Sequence, residues 1–149
     1  MGKIDEITKT RFVNDKHRAV TNLMYTSNWI RSLFIEFLKP YGLSPQQFNI
    51  LRILRGAKGW VAMSEVKKLM IDKAPNATRL ADKLLEKKLI KRRRGAEDRR
   101  AVYVHISAAG LNLLHDIDSN DEGEHVEFIE RISEADAKTL NLVLDKLRG

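Results

Sequence analysis

The side chains best suited to chemistry in this chain are basic ones, crowded into residues 78–100. That stretch has ten lysines and arginines against four acidic residues, a local net charge of +6, whereas the whole chain of 149 residues carries +7. A protein that is basic only for solubility would spread such an excess along its length. Charge concentrated in this way attracts a phosphate polymer. The pattern therefore favours a nucleic-acid partner over the alternative, a solvated basic segment with no partner.

The second half of this basic stretch has the pattern of a β-hairpin. Two strand-forming runs flank a turn that contains Gly95 and Asp98, and arginines lie on both sides of the turn. In the second run Val102, Val104 and Ile106 alternate with other residues, as in a strand that is buried on one face. We therefore predict a hairpin with an arginine-rich tip.

An amphipathic helix that begins at Pro75 is predicted directly before the hairpin. Its core-facing residues are Ala77, Leu80, Ala81, Leu84 and Leu85, and its outward residues are Asn76, Thr78, Arg79, Asp82 and Lys83. Asn and Arg can make bidentate contacts to adenine and guanine. Alone, this pattern also fits an ordinary surface helix. Followed by a basic hairpin, it indicates a winged helix-turn-helix, in which the helix enters the major groove and the hairpin reaches the backbone and minor groove.

The other elements are predicted to be mostly helical. Residues 7–38 have the spacing of one long helix, about 45 Å by its rise per residue. Ser44, Pro45 and Gln47 form a capping-box helix start. A short strand is expected from Trp60 to Met63, and three serines are expected to cap the helices that follow them: Ser64, Ser107 and Ser133. In the helix after Ser107, we expect Leu111, Leu114 and Ile117 to face inward.

These elements predict a mainly α fold with a small β-hairpin wing. We expect an N-terminal dimerisation helix in residues 1–40, a winged helix-turn-helix lobe in residues 41–106 and C-terminal dimerisation helices in residues 107–149. The first helix is too long for a compact monomer of this size to cover, so a second copy of the chain is the expected partner.

Composition argues against several other classes of protein. The chain has no cysteine, which excludes disulfides and thiolate metal sites. No apolar run approaches the roughly 20 residues that span a bilayer, and the charged N-terminus lacks a secretion signal, so a cytoplasmic protein is expected. No nucleophile elbow or phosphate loop is present, so we expect neither an enzyme nor a cofactor. His115 and His125 could in principle join a metal site, but solvated or dimer-interface histidines are commoner.

The chain resembles the MarR family of bacterial transcription regulators. Residues 78–92 are similar to the family's recognition helix leading into the wing, Asp98-Arg99-Arg100 matches its Asp-x-Arg wing signature, and residues 106–110 resemble the start of its next helix. Two departures stand out. Lys88 occupies a position where the family commonly has Gly, and Ala74 before Pro75 offers no helix cap.

The resemblance implies a two-fold dimer that binds a near-palindromic operator, usually for repression, and that is released by a small ligand, often an aromatic anion. It implies that Arg100 enters the minor groove and that Asp98 positions it by a charge-assisted hydrogen bond. The predicted DNA-binding residues are Asn76, Thr78, Arg79, Lys83, Arg94, Asp98, Arg99 and Arg100. The alternatives are a sequence-neutral nucleic-acid-binding or chromosome-organising protein, and a dimeric helical scaffold with no nucleic acid.

Overall fold

Helices form most of the chain, and a small antiparallel sheet lies among them. The structure is a computed structural model that describes residues 2–73, 76–120 and 124–149. The helices are α1 (Ile4–Thr8), α2 (Asp15–Leu38), α3 (Pro45–Ala57), α4 (Met63–Leu69), α5 (Ala77–Glu86), α6 (Ala108–Ser119), α7 (Glu124–Glu127) and α8 (Glu134–Arg148). The strands are β1 (Val61–Ala62), β2 (Ile90–Arg94) and β3 (Val102–Ile106). This architecture confirms the predicted mainly α fold with a β-hairpin wing.

The sheet has the strand order β1-β3-β2, and both pairings are antiparallel. In the hairpin Ile90 pairs with Ile106 and Arg94 pairs with Val102. The strand predicted from Trp60 to Met63 is shorter than expected, because Met63 already begins α4.

Three serines cap helices as predicted. Each accepts a hydrogen bond of 3.1 Å on its side-chain oxygen from the backbone N–H three residues later: Ser44 from Gln47, Ser107 from Gly110 and Ser133 from Asp136. Ser44 also completes a capping box, since its N–H donates to the Gln47 side chain at 3.0 Å. These bonds satisfy amides that an uncapped helix start leaves without partners.

Two local predictions are wrong. Ser64 does not cap α4, because the helix already begins at Met63 and Ala62 occupies the cap position. Leu111 does not face the core either, whereas Leu114 and Ile117 on the same helix are buried. Helical spacing does not show whether an apolar residue faces the core or a surface that is exposed in the single chain, and Leu111 lies on such a surface.

The single helix predicted for residues 7–38 is divided in two. Lys9 takes a left-handed backbone conformation, with φ of 50°, and ends α1. The helix α2 begins at a new cap, where the Asn14 side chain accepts a hydrogen bond from the His17 N–H at 3.1 Å. The 24 residues of α2 span about 36 Å, shorter than the predicted 45 Å.

The hydrophobic core joins α3, α4, α5, α6 and the inner face of the sheet. Its largest fully buried side chains are Leu38, Ile50, Leu51, Leu54, Val66, Leu84, Val104 and Leu114. By contrast, α2 buries only Leu38, its last residue, and α8 buries none. The core therefore fixes α5 against the sheet and leaves the long outer helices largely uncovered.

The end of α5 is a Schellman turn that delivers the chain into β2. The Lys88 N–H donates to the Leu85 carbonyl at 2.9 Å, and the Leu89 N–H donates to the Leu84 carbonyl at 3.0 Å. Lys88 has φ of 60°, the left-handed conformation that this turn requires. The MarR family commonly has glycine at this position, and the left-handed backbone conformation explains that preference.

Ser107 joins this turn to the start of α6. Its hydroxyl donates to the Lys88 carbonyl at 2.7 Å, and its N–H donates to the Leu89 carbonyl at 3.0 Å. The end of the predicted recognition helix, the end of the hairpin and the start of α6 are thereby held as one unit.

Replacing Lys88 by glycine should raise the free energy of unfolding by about 1 kcal/mol, since a left-handed conformation costs a lysine about that much. Urea unfolding would measure the change. The control is Lys87→Gly one residue earlier, where φ is −76° and glycine should instead lower stability. Equal effects at the two positions would contradict the backbone explanation.

Candidate nucleic-acid interface

The helix α5 presents the polar face that the sequence predicted. Ala77, Leu80, Ala81 and Leu84 are buried, and Leu85 is half-buried. The predicted DNA-contacting residues on this element are all exposed: Asn76, Thr78, Arg79 and Lys83. Asn76 occupies the cap position, but its side chain makes no capping hydrogen bond. The predicted start at Pro75 and the missing cap at Ala74 lie outside the described residues.

A contact that the sequence did not predict ties the hairpin to α5. The Arg92 guanidinium on β2 donates to the Asp82 carboxylate at 2.6 Å, and both side chains remain about half exposed. Arg92 pairs across the sheet with Val104, whose side chain is buried, so Arg92 lies on the face that meets α5. This pair neutralises one arginine of the basic stretch and fixes the hairpin against the helix.

The loop between β2 and β3 is closed by its own backbone. The Gly95 N–H donates to the Ala101 carbonyl at 2.8 Å, and the Ala101 N–H donates to the Asp98 carbonyl at 3.1 Å. A Cβ at Gly95 would lie 2.5 Å from the Asp98 carbonyl oxygen, so the close approach of the two backbones requires glycine.

Asp98 acts on the backbone of this loop. Its Oδ1 accepts a hydrogen bond from the Arg100 N–H at 2.9 Å. The carboxylate thus fixes the main chain of Arg100, whereas the resemblance alone did not specify which group it holds. The Arg94 guanidinium donates to the Arg99 carbonyl at 3.1 Å and braces the loop from the β2 side.

The structure distributes the eight predicted residues over two adjoining elements. Four of them belong to α5 or, in the case of Asn76, to its cap position. The other four, Arg94, Asp98, Arg99 and Arg100, belong to the wing. All eight are exposed. The geometry presents a helix face with hydrogen-bonding side chains beside a rigid cationic loop.

A cluster centred on Asp72, which no sequence pattern predicted, positions the segment that precedes α5. The Asp72 carboxylate accepts hydrogen bonds from Gln46 of α3 at 2.8 Å and from Arg31 of α2 at 3.0 Å. The Ile71 N–H also donates to the Asn49 side chain of α3 at 2.9 Å. Hydrogen bonds from Gln46 and Arg31 hold the pKa of Asp72 below its ordinary value of 3.8.

Because its folded pKa is lowered, Asp72 contributes stability above pH 3.8 and loses it as the pH falls through the folded value. Asp72→Asn should therefore lower the free energy of unfolding at neutral pH, by less than about 1 kcal/mol since the ion pair is exposed to solvent. Thermal unfolding at neutral pH and below pH 3.8 checks this. A difference between the two proteins that does not shrink on acidification would contradict the assignment.

No helix in the described ranges combines the length and the apolar character needed to cross a membrane. Within residues 2–73, 76–120 and 124–149, no three potential metal ligands come together. The side chain of His125 lies outside what the structure describes.

Comparison with known proteins identifies the chain's relatives. The model of the family "Transcriptional regulator SarA/Rot" matches residues 32–117, more than half of the chain. The uncharacterized HTH-type transcriptional regulator YpoP of Bacillus subtilis is 31% identical over 105 residues, which are 70% of this chain and 74% of that protein. The HTH-type transcriptional regulator MhqR of the same organism is 28% identical over 107 residues, 72% of this chain and 73% of the relative.

A solved structure shares the fold. A mutant of MarR from E. coli complexed with operator DNA superposes with a TM-score of 0.79 at 22% sequence identity, covering 93% of this chain and 99% of that one. The winged helix-turn-helix predicted from the helix and the basic hairpin is thereby confirmed as the fold. Since the matched family consists of transcriptional regulators, the expectation that the chain is not an enzyme is also confirmed. The chain belongs to the SarA/Rot family of transcriptional regulators, and it shares the fold of the MarR structure.

Proposed function

We propose that this regulator is a cytoplasmic homodimer that binds a near-palindromic double-stranded operator as a repressor and is released by a small aromatic anion. The observation that carries the DNA-binding part is the joint exposure of the α5 residues and the braced wing loop. The operator complex of the MarR structure with the same fold supports it. In this proposal Arg79 and Asn76 read bases, Arg100 enters the minor groove, and the lysine and the other arginines contact phosphates.

The dimer is proposed to form through residues 1–40 and 107–149, on either side of a DNA-binding lobe in residues 41–106. Large apolar side chains are exposed along α2 and α8: Val20, Leu23, Met24, Tyr25, Ile35, Leu140, Leu142, Val143 and Leu147. The exposure of so many large apolar side chains on these two helices supports an association surface there. Part of the C-terminal range also serves the lobe, since Leu114 and Ile117 of α6 are buried in its core.

The effector is proposed to bind in an open cleft of about 570 Å³ between α1 and the start of α2. Lys9, Arg11 and Arg18 supply positive charge to its lining, and Phe12 supplies an aromatic ring. Two carboxylates in the lining, those of Asp5 and Asp15, lie 2.9 Å and 4.0 Å from the Arg18 guanidinium and offset its charge. Lys9 and Arg11 beside Phe12 therefore suit an aromatic carboxylate or phenolate. A ligand here would change how α1 packs on α2, and thereby the spacing of the two lobes.

Selection of bound sequences from a random duplex library, followed by fluorescence anisotropy, tests the DNA-binding proposal. Specific binding should survive an excess of random duplex, and it should weaken steeply with salt as counterions are released. Arg79→Ala should then relax the preference at one base pair by about 1–3 kcal/mol. Binding that random duplex abolishes would instead favour a sequence-neutral protein.

Release of the protein from its operator by an aromatic anion is tested by a separate measurement. Addition of aromatic carboxylates or phenols to the operator complex should lower the anisotropy, and Arg11→Ala should reduce that response without changing operator affinity. An operator complex that no such compound affects would leave a constitutive DNA-binding protein.

A further inference from the structure

The outer face of the three-stranded sheet carries a cluster of aromatic and cationic residues. Val104, Ile106 and Ile90 are buried on the inner face. The residues that alternate with them therefore point outward, and the register brings them together: Lys91 pairs with His105, Arg93 pairs with Tyr103, and Trp60 immediately precedes Val61, the partner of Val104. We call Trp60, Lys91, Arg93, Tyr103 and His105 the outer platform.

Three side chains of the outer platform, those of Trp60, Arg93 and His105, contact one another. The guanidinium carbon of Arg93 lies 4.3 Å from the centre of the Trp60 ring, a cation–π distance. The ring of His105 lies 5.4 Å from that of Trp60. The indole is 37% exposed, Lys91 and Arg93 are exposed, and the other two side chains are half-buried. An arginine stacked in this way keeps donors available, in an arrangement that costs little entropy to fix.

The proposed DNA interface leaves the outer platform unused. The predicted DNA-contacting residues belong to α5 and to the wing loop, and Arg92, on the same strand as Arg93, turns to the opposite face to meet Asp82. The outer platform carries the positive charges of Lys91 and Arg93, and none of its five residues is acidic. Its charge therefore favours an anionic partner.

The residue types distinguish among anionic partners. Trp, Tyr and Arg are the types most enriched in the energetic centres of protein–protein interfaces, and all three occur here. A single-stranded nucleic acid would stack its bases on open aromatic faces, but Arg93 already lies over the indole. Duplex phosphates are bound by cations and need no aromatic residues. We propose that the outer platform binds an acidic segment of a partner protein, whose carboxylates pair with Arg93 and Lys91 while its apolar side chains pack on Tyr103 and on the part of Trp60 that Arg93 leaves exposed.

The chain provides a direct optical test of this proposal. It has two tryptophans, so a Trp29→Phe variant leaves Trp60 as the single indole and keeps an aromatic ring against Phe128. A short synthetic peptide of glutamate and phenylalanine is titrated into this variant. We expect a saturable change in Trp60 emission, which the same peptide with glutamine in place of glutamate does not produce.

Two arginine variants locate the binding face. In the Trp29→Phe background, Arg93→Ala should weaken peptide binding about tenfold or more, as expected for loss of a charge-assisted contact. Arg92→Ala is the control for net charge, because it removes one positive charge from the neighbouring position on the opposite face, where Arg92 pairs with Asp82, and it should leave peptide affinity nearly unchanged. Circular dichroism checks that both variants are folded.

Three results would overturn the proposal. The first is the absence of saturable binding by the acidic peptide. The second is an equal loss of affinity in the two arginine variants, which would reduce the effect to net charge. The third is that Arg93→Ala weakens binding to operator duplexes extended by flanking DNA but not to the minimal operator, which would make the outer platform a DNA contact. The first two results do not depend on operator binding, so they distinguish a failure of this proposal from a failure of the proposed function.

Discussion

Replacing Arg100 by alanine should lower affinity for the proposed operator by about 100- to 10,000-fold while the proposed dimer remains folded. Arg100 is exposed at the end of the wing loop, so its loss leaves the core intact. A hydrogen bond to a charged group contributes about 1.5–3 kcal/mol. A symmetric dimer loses it twice, about 3–6 kcal/mol in all, and each 1.4 kcal/mol corresponds to about a tenfold change. Fluorescence anisotropy measures the affinity, and circular dichroism and sedimentation verify fold and dimer.

Asp98→Ala separates geometry from net charge in the same experiment. Removing a carboxylate makes the protein more positive, so Coulombic attraction alone predicts tighter binding to DNA. The structure predicts weaker binding, because the Asp98 Oδ1 fixes the Arg100 backbone at 2.9 Å. Arg52→Ala on α3 serves as the charge control for Arg100→Ala, since it removes one exposed positive charge away from the wing. A loss in Arg52→Ala as large as that in Arg100→Ala would contradict the assigned role of Arg100.

The features that could be predicted from the sequence are those encoded over a few residues. Ser44 and Gln47 form their capping box within one helical turn, and alternation in β3 specifies which side chains meet the core. The helix α5 shows the same kind of signal, since its buried and exposed faces follow directly from the spacing of leucine and alanine. The position of Lys88 in a left-handed turn was foreseeable from the family resemblance and is explained by the Schellman hydrogen bonds.

The features that could not be predicted depend on residues far apart in the chain. The sequence contains many acidic residues with which an exposed arginine could pair. The Arg92–Asp82 and Arg31–Asp72 ion pairs therefore could not be predicted from the sequence. Periodicity identifies an apolar stripe but not what covers it, which is why Leu111 was assigned to the core. Asn14 is a good helix cap and is a local signal for the break after α1. The helical spacing of residues 7–38 nevertheless favours one continuous helix, so the break is not predicted.

Gly110→Ala should lower the free energy of unfolding by about 3 kcal/mol, toward the upper end of what overpacking costs. A Cβ at Gly110 would lie 2.3 Å from the Leu89 carbonyl oxygen and 2.7 Å from Cγ1 of Ile106. The carbonyl cannot move away easily, because it accepts the Ser107 N–H at 3.0 Å. The strain therefore falls on the junction of α5, the hairpin and α6. Differential scanning calorimetry should show a melting temperature lower by about 6–12 °C.

The matched control for this prediction is Gly56→Ala in α3. Gly56 is also a helical glycine, but an added Cβ there meets no atom within 4 Å. Alanine should stabilise that helix by about 0.5–1 kcal/mol, because glycine loses more backbone freedom on folding. The two substitutions are chemically identical, so opposite signs isolate the close contact at Gly110 as the cause. A stabilising or neutral effect of Gly110→Ala would show that α6 can shift away from the hairpin. The junction of α5, the hairpin and α6 would then not be rigid, although the proposed operator binding depends on a rigid link between α5 and the wing.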